Sequence, residues 1–510
     1  LTCHFVDDMV MPGTLMYECC AHALRVFVQR LGWITDAPGA RYQPLPGVRA
    51  ALKCRGPVTP RTRRVVYQVD LKELGYGPQP YAVADADMLA DGRHIVRFTG
   101  MSLQLAGATR QEIEAFWQRR PARAAQTAAA APAVYARSHF LEFASGRPSR
   151  AFGAPYRPFD AGRFIARLPA PPYLFIDRIT AVAPPAWALA PGGWVDAELD
   201  VAPDAWYIRA DRSRSVPFCV LLEAALQPCG WLAAYMGSAL KSEKPLHFRN
   251  LGGEATLHRE ARADGGTLRM RVRLRQVSEV PDMLIEHFDF EIFSAEGRVY
   301  DGTTYFGFFT PDALSRQQGL RPAPGAPFTP PPGAAAQATV VRFAAEAPLT
   351  PDDPGGSGAP GLAMPAAALR MIDGIDLYAP GGGPAGLGWV HGFKAVDPAE
   401  WFFKAHFHQD PVCPGSLGIE SFLQLLKYAA RQRWPGLVAS HRFALQTGKP
   451  HRWSYRGQIL PHNRRVAVEA AITHVAEAPH PALEASGLLS VDGLPIYRME
   501  DFGIRLVPVQ

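Results

Sequence analysis

The sequence HFHQDPVCPGSLGIE, at residues 406–420, decides how the rest of the chain is interpreted, because a second copy of it lies near the start. That copy reads HFVDDMVMPGTLMYE, at residues 4–18. Both have His-Phe, then Asp at +4, Val at +6, Pro-Gly at +8 and +9, and Glu at +14. Seven matched positions without a gap indicate an internal repeat, and such repeats constrain the whole fold.

A weaker third copy lies between these two. Pro217 precedes Glu223 by six residues, which is the spacing of Pro and Glu in the other two copies. Arg209 stands eight residues before that proline, where the histidine should be, and Phe218 replaces the glycine. We therefore expect three related units, of which the middle one lacks the histidine.

Each copy continues into one long apolar segment and then into strand-like sequence with tight turns. Helices are predicted over residues 15–31, 221–236 and 417–431. They are apolar on most sides, as expected of helices that a sheet covers. The later segments alternate apolar and polar residues, which predicts half-buried strands. The predicted fold class is α+β, with tandem units in which an antiparallel sheet wraps a long central helix.

The repeats and the composition between them divide the chain into five parts. These are repeat one at 1–108, a linker at 109–162, repeat two at 163–315, a Pro/Ala/Gly-rich linker at 316–360 and repeat three at 361–510. Repeat one starts at its histidine motif without a preceding strand, so we interpret it as truncated and the chain as cut from a longer one. A length of 510 residues fits roughly three domains of about 150 residues each.

Composition and local motifs exclude several classes of function. The formal charge of +6 is too small and too dispersed for a nucleic-acid-binding protein, although a mildly basic surface would suit an acidic carrier protein. No run of 18 apolar residues and no leader sequence is found, so we predict a cytoplasmic protein without a membrane span. The seven cysteines form no CxxC pair, and HExxH is absent, so no disulfide framework, metal or other bound cofactor is expected.

On these residues the chain resembles the bacterial 3-hydroxydecanoyl-acyl-carrier-protein dehydratase/isomerase family, whose fold is the hotdog. The family motif is His-Phe-x-x-Asp-Pro-Val-x-Pro-Gly with an acid 14 residues after the histidine. Repeat three matches it almost fully, including Gly-Gln-Ile-Leu-Pro at 457–461. The resemblance covers roughly residues 1–108, 165–312 and 365–510. Tandem units of this kind, some without the histidine, also resemble the dehydratase region of polyunsaturated fatty acid synthases.

The resemblance implies an enzyme that removes water from 3-hydroxyacyl thioesters. The substrate would arrive on the phosphopantetheine arm of an acyl carrier protein, among other fatty acid or polyketide synthase domains. The reaction needs a base for the C2 proton, an acid for the leaving hydroxyl and a donor to the thioester oxygen. By resemblance His406 is the base, the N–H of Gly415 polarises the carbonyl, and Val412 lines the site. The counterparts in repeat one would be His4, Gly13 and Val10.

The identity of the acid depends on which repeats pair. In the resembled family the histidine of one hotdog faces the helix acid of another. Repeat two keeps Glu223 in an otherwise apolar helix, where an unpaired carboxylate is costly. We therefore predict that repeats two and three form a double hotdog in which His406 faces Glu223. Glu420 is the alternative acid.

Under this scheme Glu18 and Glu420 become relics or structural residues, and His4 would face an acid in a further upstream repeat. Gln227 and Gln424 follow their glutamates by four residues, so each shares a helix face with the acid. Gln227 is therefore a candidate for the site, either against the substrate or as a hydrogen-bond partner of the acid.

Two other functions fit a hotdog fold, because a fold alone does not decide the reaction. One is a thioesterase, and the other is a degenerate acyl-binding scaffold module, for which the altered motif of repeat two offers local support. A trans-2 to cis-3 isomerisation after dehydration also stays open. So does assembly, as an intramolecular double hotdog alone or as a homodimer.

Overall fold

The computed structural model describes residues 4–5, 7–119, 133–160, 162–262, 266–280, 283–321, 340–343 and 361–509. The chain divides into two compact units, Leu1–Ala128 and Ala129–Gln510. The first contains repeat one, and the second contains repeats two and three.

In the first unit a single long helix packs on a five-stranded antiparallel sheet. Its elements are α1 (Gly13–Arg30), β1 (Arg41–Gln43), β2 (Ala51–Cys54), β3 (Val65–Gly75), β4 (Tyr81–Ala90), β5 (Arg93–Ala106) and α2 (Arg110–Arg119). The strand order is β1–β5–β4–β3, and β2 also pairs with β5. Only one stripe of α1 is buried: Met16, Cys20, Leu24 and Val28. The prediction that this helix is buried on most sides is wrong, because Leu15, Val26 and Phe27 on its other faces are exposed.

The second unit contains two hotdog folds in sequence. The elements of the first are β6 (Tyr135–Ala136), α3 (Arg137–Ala144), α4 (Pro148–Phe152), β7 (Arg178–Ala183), β8 (Trp194–Val201), α5 (Trp206–Asp211), α6 (Phe218–Tyr235), β9 (His247–Leu257), β10 (Gly266–Val280), β11 (Met283–Ser294), β12 (Gly297–Phe309) and α7 (Pro311–Ser315). The elements of the second are β13 (Val341–Arg342), β14 (Gly374–Ala379), β15 (Trp389–Ala395), α8 (Trp401–Ala405), α9 (Gly415–Arg433), β16 (His441–Leu445), β17 (Pro450–Tyr455), β18 (Arg465–Ala476), β19 (Ala482–Val491) and β20 (Leu494–Pro508). Short 3-10 turns lie at Ala154–Phe159, Ser238–Lys241 and Pro435–Leu437.

One continuous sheet joins the two hotdogs of the second unit. Its order is β13–β14–β15–β18–β19–β20–β17–β9–β12–β11–β10–β8–β7–β6, with β16 also beside β20. The seam is the antiparallel pair β17 and β9, where Ser454 lies opposite Gly252 and Trp453 opposite Gly253. A Cβ on Gly252 would lie 2.5 Å from the carbonyl oxygen of Trp453, and one on Gly253 would lie 2.4 Å from its ring. Glycine at both positions therefore lets the two repeats approach at the seam.

The central helices α6 and α9 pack against each other under this sheet, which is the predicted double hotdog. Every residue of α6 except Gly230 is buried. The helix is long and apolar enough to cross a membrane by composition, but 94% of it is buried within the protein. Burial of this extent accounts for its apolar sequence as that of a core helix, in which Glu223 and Gln227 are the polar exceptions.

The structure corrects the predicted domain division at residues 109–162, because much of this predicted linker is helical. Residues 110–119 form α2, and residues 137–159 form α3, α4 and a 3-10 turn. Phe140, Phe143 and Tyr156 are buried in the core of repeat two, and the Tyr156 hydroxyl donates to the Ala234 carbonyl at 2.5 Å. The segment therefore extends repeat two. In the second predicted linker, residues 322–339 and 344–360 lie outside the described residues.

Candidate active site

A large, mostly apolar cavity lies between repeats two and three. It encloses about 1020 Å³, including the space that opens to solvent. Repeat two contributes one face of α6, through Glu223, Gln227, Gly230 and Ala234. Eleven residues separate the first and last of these, which corresponds to about 16 Å along a helix. Repeat three contributes its motif loop, including His406.

His406 lies at the end of α8, where the chain enters the motif loop. Its Nδ1 lies 3.0 Å from the carbonyl oxygen of Val412, and the Val412 N–H donates to the His406 carbonyl at 2.8 Å. A carbonyl only accepts, so in the neutral ring Nδ1 carries the proton and Nε2 has the free lone pair. Burial lowers the pKa of His406 to about 3. The imidazole is therefore neutral near pH 7 and can accept a proton at Nε2.

Glu223 reaches the same cavity from the second turn of α6. Ser416 donates to its Oε1 at 2.7 Å, and the Gln227 side chain donates to its Oε2 at 3.0 Å. Burial raises the pKa of Glu223 to about 6, although the hydrogen bonds from Ser416 and Gln227 oppose this. A carboxyl group with this pKa can keep its proton close to neutral pH and act as an acid.

Gln227 lines the cavity, but its amide is used to position other groups. Its Nε2 donates to the carbonyl of Tyr173 at 2.8 Å as well as to Glu223, and its Oε1 accepts from the N–H of Phe175 at 2.7 Å. Both amide protons are therefore engaged. This favours the second of the two predicted roles, as a partner of the acid.

The start of α9 also lines the cavity, together with His406 and Glu223. Gly415 is the first residue of this helix, and Ser416 follows it. The first N–H groups of a helix have no acceptor within the helix and lie at the positive end of its dipole. The Gly415 N–H is thus suited to an oxygen that gains negative charge. A side chain at Gly415 would not fit, since a Cβ there would lie 2.8 Å from the ring of Tyr455.

An ion-pair cluster ties the motif loop of repeat three to repeat two. The guanidinium group of Arg249 on β9 donates two hydrogen bonds of 2.8 Å to the carboxylate of Asp410. The Nδ1 of His247 lies 2.9 Å from an oxygen of the same carboxylate. Burial raises the pKa of Asp410, but the hydrogen bonds from His247 and Arg249 outweigh it and the pKa falls to about 2. Asp410 therefore stays ionised and holds the loop that carries His406.

Comparison with known proteins identifies the family to which the repeats belong. A family model described as a FabA-like domain matches residues 1–99, 168–303 and 364–500. These ranges cover well over half of the chain. The chain belongs to the FabA-like domain family.

Among curated proteins, a polyunsaturated fatty acid synthase subunit of Thraustochytrium sp. (strain ATCC 26185 / S-3) is 27% identical over 99% of this chain and 42% of its own length. The chain thus spans less than half of this relative. Among solved structures, the CurJ dehydratase has a TM-score of 0.35 at 11% identity, over 65% of this chain and 96% of its own. A putative oleoyl thioesterase from Lactobacillus plantarum has a TM-score of 0.36 at 11% identity, over 62% and 98%. At these TM-scores the similarity carries no argument about the reaction.

A mirror position of this candidate site exists around Glu420, the alternative acid. Glu420 is buried on α9, but Lys427 lies 3.6 Å from it and 2.8 Å from Asp211. Burial lowers the pKa of Lys427, but the carboxylates of Asp211 and Glu420 raise it by more. The net pKa is above its usual value, so the ammonium stays charged. The nearby cavity encloses about 300 Å³ and is lined by Phe218, which stands where the motif has glycine. Glu420 is thus placed in an ion-pair cluster and not beside His406.

The FabA-like repeat of the first unit places its candidate residues differently. His4 lies in the motif turn, and its Nδ1 finds no hydrogen-bond partner among the described residues of the chain. Glu18 is 43% exposed on α1 and pairs with His22 at 2.9 Å. Val10 and Gly13 are half-buried. Glu18 is therefore a surface ion-pair residue within this unit.

Four residues of the site were not predicted from the sequence: Ser416, Tyr173, Arg249 and Tyr455. Ser416 was inside the quoted motif, and its position one residue after the motif glycine could have indicated it. The other three lie in segments without a motif. In the part of the chain that the structure describes, no cluster of three or more His, Cys, Asp or Glu side chains could hold a metal ion.

Proposed function

We propose that the second unit dehydrates 3-hydroxyacyl thioesters to 2-enoyl thioesters at one site, formed by His406 of repeat three and Glu223 of repeat two. The observation that carries the proposal is that these two side chains, from different repeats, line one apolar cavity together with Gly415 and Ser416 at the start of α9. A base, an acid and a hydrogen-bond donor in one cavity are what the elimination requires.

The reaction follows from the state of each group. The Nε2 of His406 takes the proton from C2, and the electron pair of that C–H bond forms the C2–C3 double bond as the C3–O bond breaks. Glu223 gives its proton to the departing hydroxyl, which leaves as water. Negative charge that builds on the thioester oxygen is met by the N–H of Gly415. Transfer of a proton from His406 back to Glu223 restores the starting state.

The apolar face of α6 would hold the acyl chain. Leu226, Gly230 and Ala234 line the cavity beyond Glu223, together with Phe248 and Phe306. Burying hydrocarbon here contributes about 0.8 kcal/mol per methylene, so chain binding can position the reacting carbons. We further propose that the thioester is carried by an acyl carrier protein of a fatty acid synthase, in the cytoplasm, as predicted from the sequence.

The direct test is incubation of the 510-residue chain with a 3-hydroxyacyl carrier-protein thioester and mass analysis of the acyl group. We expect loss of water in the wild-type protein and no loss of water with His406→Ala, whose folding is checked by its melting temperature. A cis-3-enoyl product would add isomerase activity. Free fatty acid would instead establish the thioesterase, and binding without any conversion would establish the scaffold module.

A further inference from the structure

The hydroxyl of Tyr455 is buried at the proposed site, and none of the contacts described above uses it. It is the last residue of β17, is 5% exposed and lines the cavity. Its hydroxyl has no hydrogen-bond partner in the described part of the chain. Leaving a buried hydroxyl unpaired costs about 1–3 kcal/mol, and such groups often have a functional reason.

The ring of Tyr455 is fixed against the start of α9. A Cβ placed on Gly415 would lie 2.8 Å from Cζ of Tyr455 and 3.1 Å from its hydroxyl oxygen. Tyr497 packs edge-on against the ring with a centroid distance of 4.6 Å. Burial raises the pKa of Tyr455 well above its usual value, so the phenol keeps its proton and acts as a donor.

We propose that Tyr455 is a catalytic residue whose hydroxyl donates to the thioester oxygen, next to the N–H of Gly415. This inference rests on the dehydration proposed above. The thioester oxygen becomes negative as the C2 proton leaves, and a donor held in place in an apolar cavity stabilises that charge without reorganising. The empty hydrogen-bonding position of Tyr455 would then be filled only when substrate is bound.

The other substrate oxygen, the 3-hydroxyl, is assigned to Glu223, whose own hydrogen bonds come from Ser416 and Gln227. Tyr455 instead lies beside Gly415, the residue whose N–H faces the thioester oxygen in the proposed mechanism. A separate assay of carbon-acid chemistry distinguishes the two oxygens. Exchange of the C2 hydrogens of a saturated acyl thioester with solvent deuterium uses the base and the thioester oxygen, but no leaving hydroxyl.

The experiment compares Tyr455→Phe with the wild-type chain in dehydration of a 3-hydroxyacyl carrier protein and in C2 exchange of the saturated thioester of equal length. We expect Tyr455→Phe to lower both rates by about 100-fold, as for loss of one oxyanion donor. Glu223→Gln should lower dehydration and leave exchange within about threefold of wild type, since the acid acts only on the hydroxyl. The melting temperature of Tyr455→Phe should not fall, because the deleted hydroxyl has no protein partner to lose.

Tyr300→Phe is the matched control, because it deletes the hydroxyl of another buried tyrosine. That hydroxyl is hydrogen-bonded to Nε2 of His451 at 2.9 Å, near Phe218. We expect its two rates to stay near wild type. If Tyr455→Phe slows dehydration but not exchange, the hydroxyl acts on the leaving group and the assignment is overturned. Unchanged rates in both assays, or a large drop in melting temperature, would also overturn it. If the wild-type chain forms no enoyl product, it is the proposed function that fails, whatever Tyr455→Phe does.

Discussion

The two halves of the double hotdog contain the same glutamate in two different environments. Glu223 and Glu420 each follow a motif proline by six residues, lie on a buried central helix and precede a glutamine by four residues. Glu223 opens on a cavity of about 1020 Å³ that also contains His406. Glu420 borders about 300 Å³ and is paired with a lysine.

Three aligned positions account for the difference. The helix α9, which borders the site of Glu223, begins with Gly415 and Ser416. The helix α6, which borders the site of Glu420, begins with Phe218 and Cys219 at the aligned positions. Thirteen residues after the motif proline, α6 has Gly230 whereas α9 has Lys427. Glycine leaves the space along α6 open. Lysine fills the equivalent space on α9, and its ammonium is neutralised by Asp211 at 2.8 Å.

The comparison shows two ways in which a buried carboxyl group is accommodated in the same fold. A buried carboxylate without a counter-charge or a proton is costly. Glu223 accepts two hydrogen bonds and lines the cavity that also contains His406, and burial raises its pKa to about 6. Glu420 is paired with Lys427, and burial raises its pKa as well, to about 7, although the charge of Lys427 opposes this. Repeat two has Arg209 in place of the motif histidine, and Glu420 of repeat three is held in an ion pair with Lys427.

The largest expected effect tests this division directly. Glu223→Gln should lower the dehydration rate by about 10²–10⁴-fold, because the amide cannot protonate the leaving hydroxyl. Glu420→Gln changes the same atoms in the mirror position and should stay within about threefold of wild type. Steady-state dehydration of a 3-hydroxyacyl carrier-protein substrate measures both. Equal losses in the two variants would show that both positions take part in catalysis.

The next expected effect is on the stability of the protein, and it concerns the ion-pair cluster around Glu420. Lys427→Met leaves Asp211 and Glu420 buried without their cation, which should lower the free energy of unfolding by about 3–5 kcal/mol. Chemical denaturation followed by tryptophan fluorescence measures the shift.

The control for Lys427→Met is Lys449→Met, which removes a half-exposed lysine paired with Glu484 at 2.5 Å. Pairs of this kind contribute at most about 1 kcal/mol, so its midpoint should barely move. Adding Asp211→Asn and Glu420→Gln to Lys427→Met should recover most of the loss. A Lys427→Met protein as stable as wild type would mean that the cluster is not a buried ion pair.

A smaller and chain-length-dependent effect is expected from Gly230→Leu. A Cβ at Gly230 would lie 3.1 Å from the ring of Phe248 and 3.7 Å from Leu168, so a longer side chain must enter the cavity. Each methylene displaced from the cavity costs about 0.8 kcal/mol, or about fourfold in binding. Long acyl substrates should therefore lose about 10–50-fold in kcat/KM and short ones little.

Gly381→Leu, at an exposed turn with open space around its Cα, is the control for Gly230→Leu. It should leave the dependence of kcat/KM on acyl chain length unchanged. A uniform loss across all chain lengths in Gly230→Leu would mean that the acyl chain does not run along α6.

Much of this arrangement was predictable, because the motif spacing places chemistry on a repeated scaffold. The repeat and its resemblance predicted the hotdog fold and the pairing of repeats two and three. Repeat two has Arg209 in place of the motif histidine. The sequence therefore indicated that His406 would be the motif histidine sharing a site with Glu223. The motif also located Gly415 at a helix start, where its N–H is available.

The residues that were missed act through contacts between strands distant in sequence. Arg249 and Tyr455 lie on β9 and β17, which meet only at the seam between repeats. A sequence pattern gives the alternation of such strands but not which side chain meets Asp410 or Gly415. Residues 137–159 were missed for another reason, because their buried aromatic residues are dispersed among polar and Pro/Gly residues, as in a linker.

A pH profile sharpens the comparison without a change to the wild-type site. In the proposed reaction Glu223 acts in its protonated form, and its pKa is raised to about 6, so kcat/KM should fall as pH rises through about 6, by up to about tenfold per unit. His406, with a pKa lowered to about 3, stays neutral across this range and adds no limb above pH 5. Measuring kcat/KM from pH 5 to 8 for wild type, Glu420→Gln and Glu223→Gln separates the groups. The limb should remain in Glu420→Gln and vanish from the residual activity of Glu223→Gln, and a rate that rises through pH 6 would mean that Glu223 acts as a carboxylate.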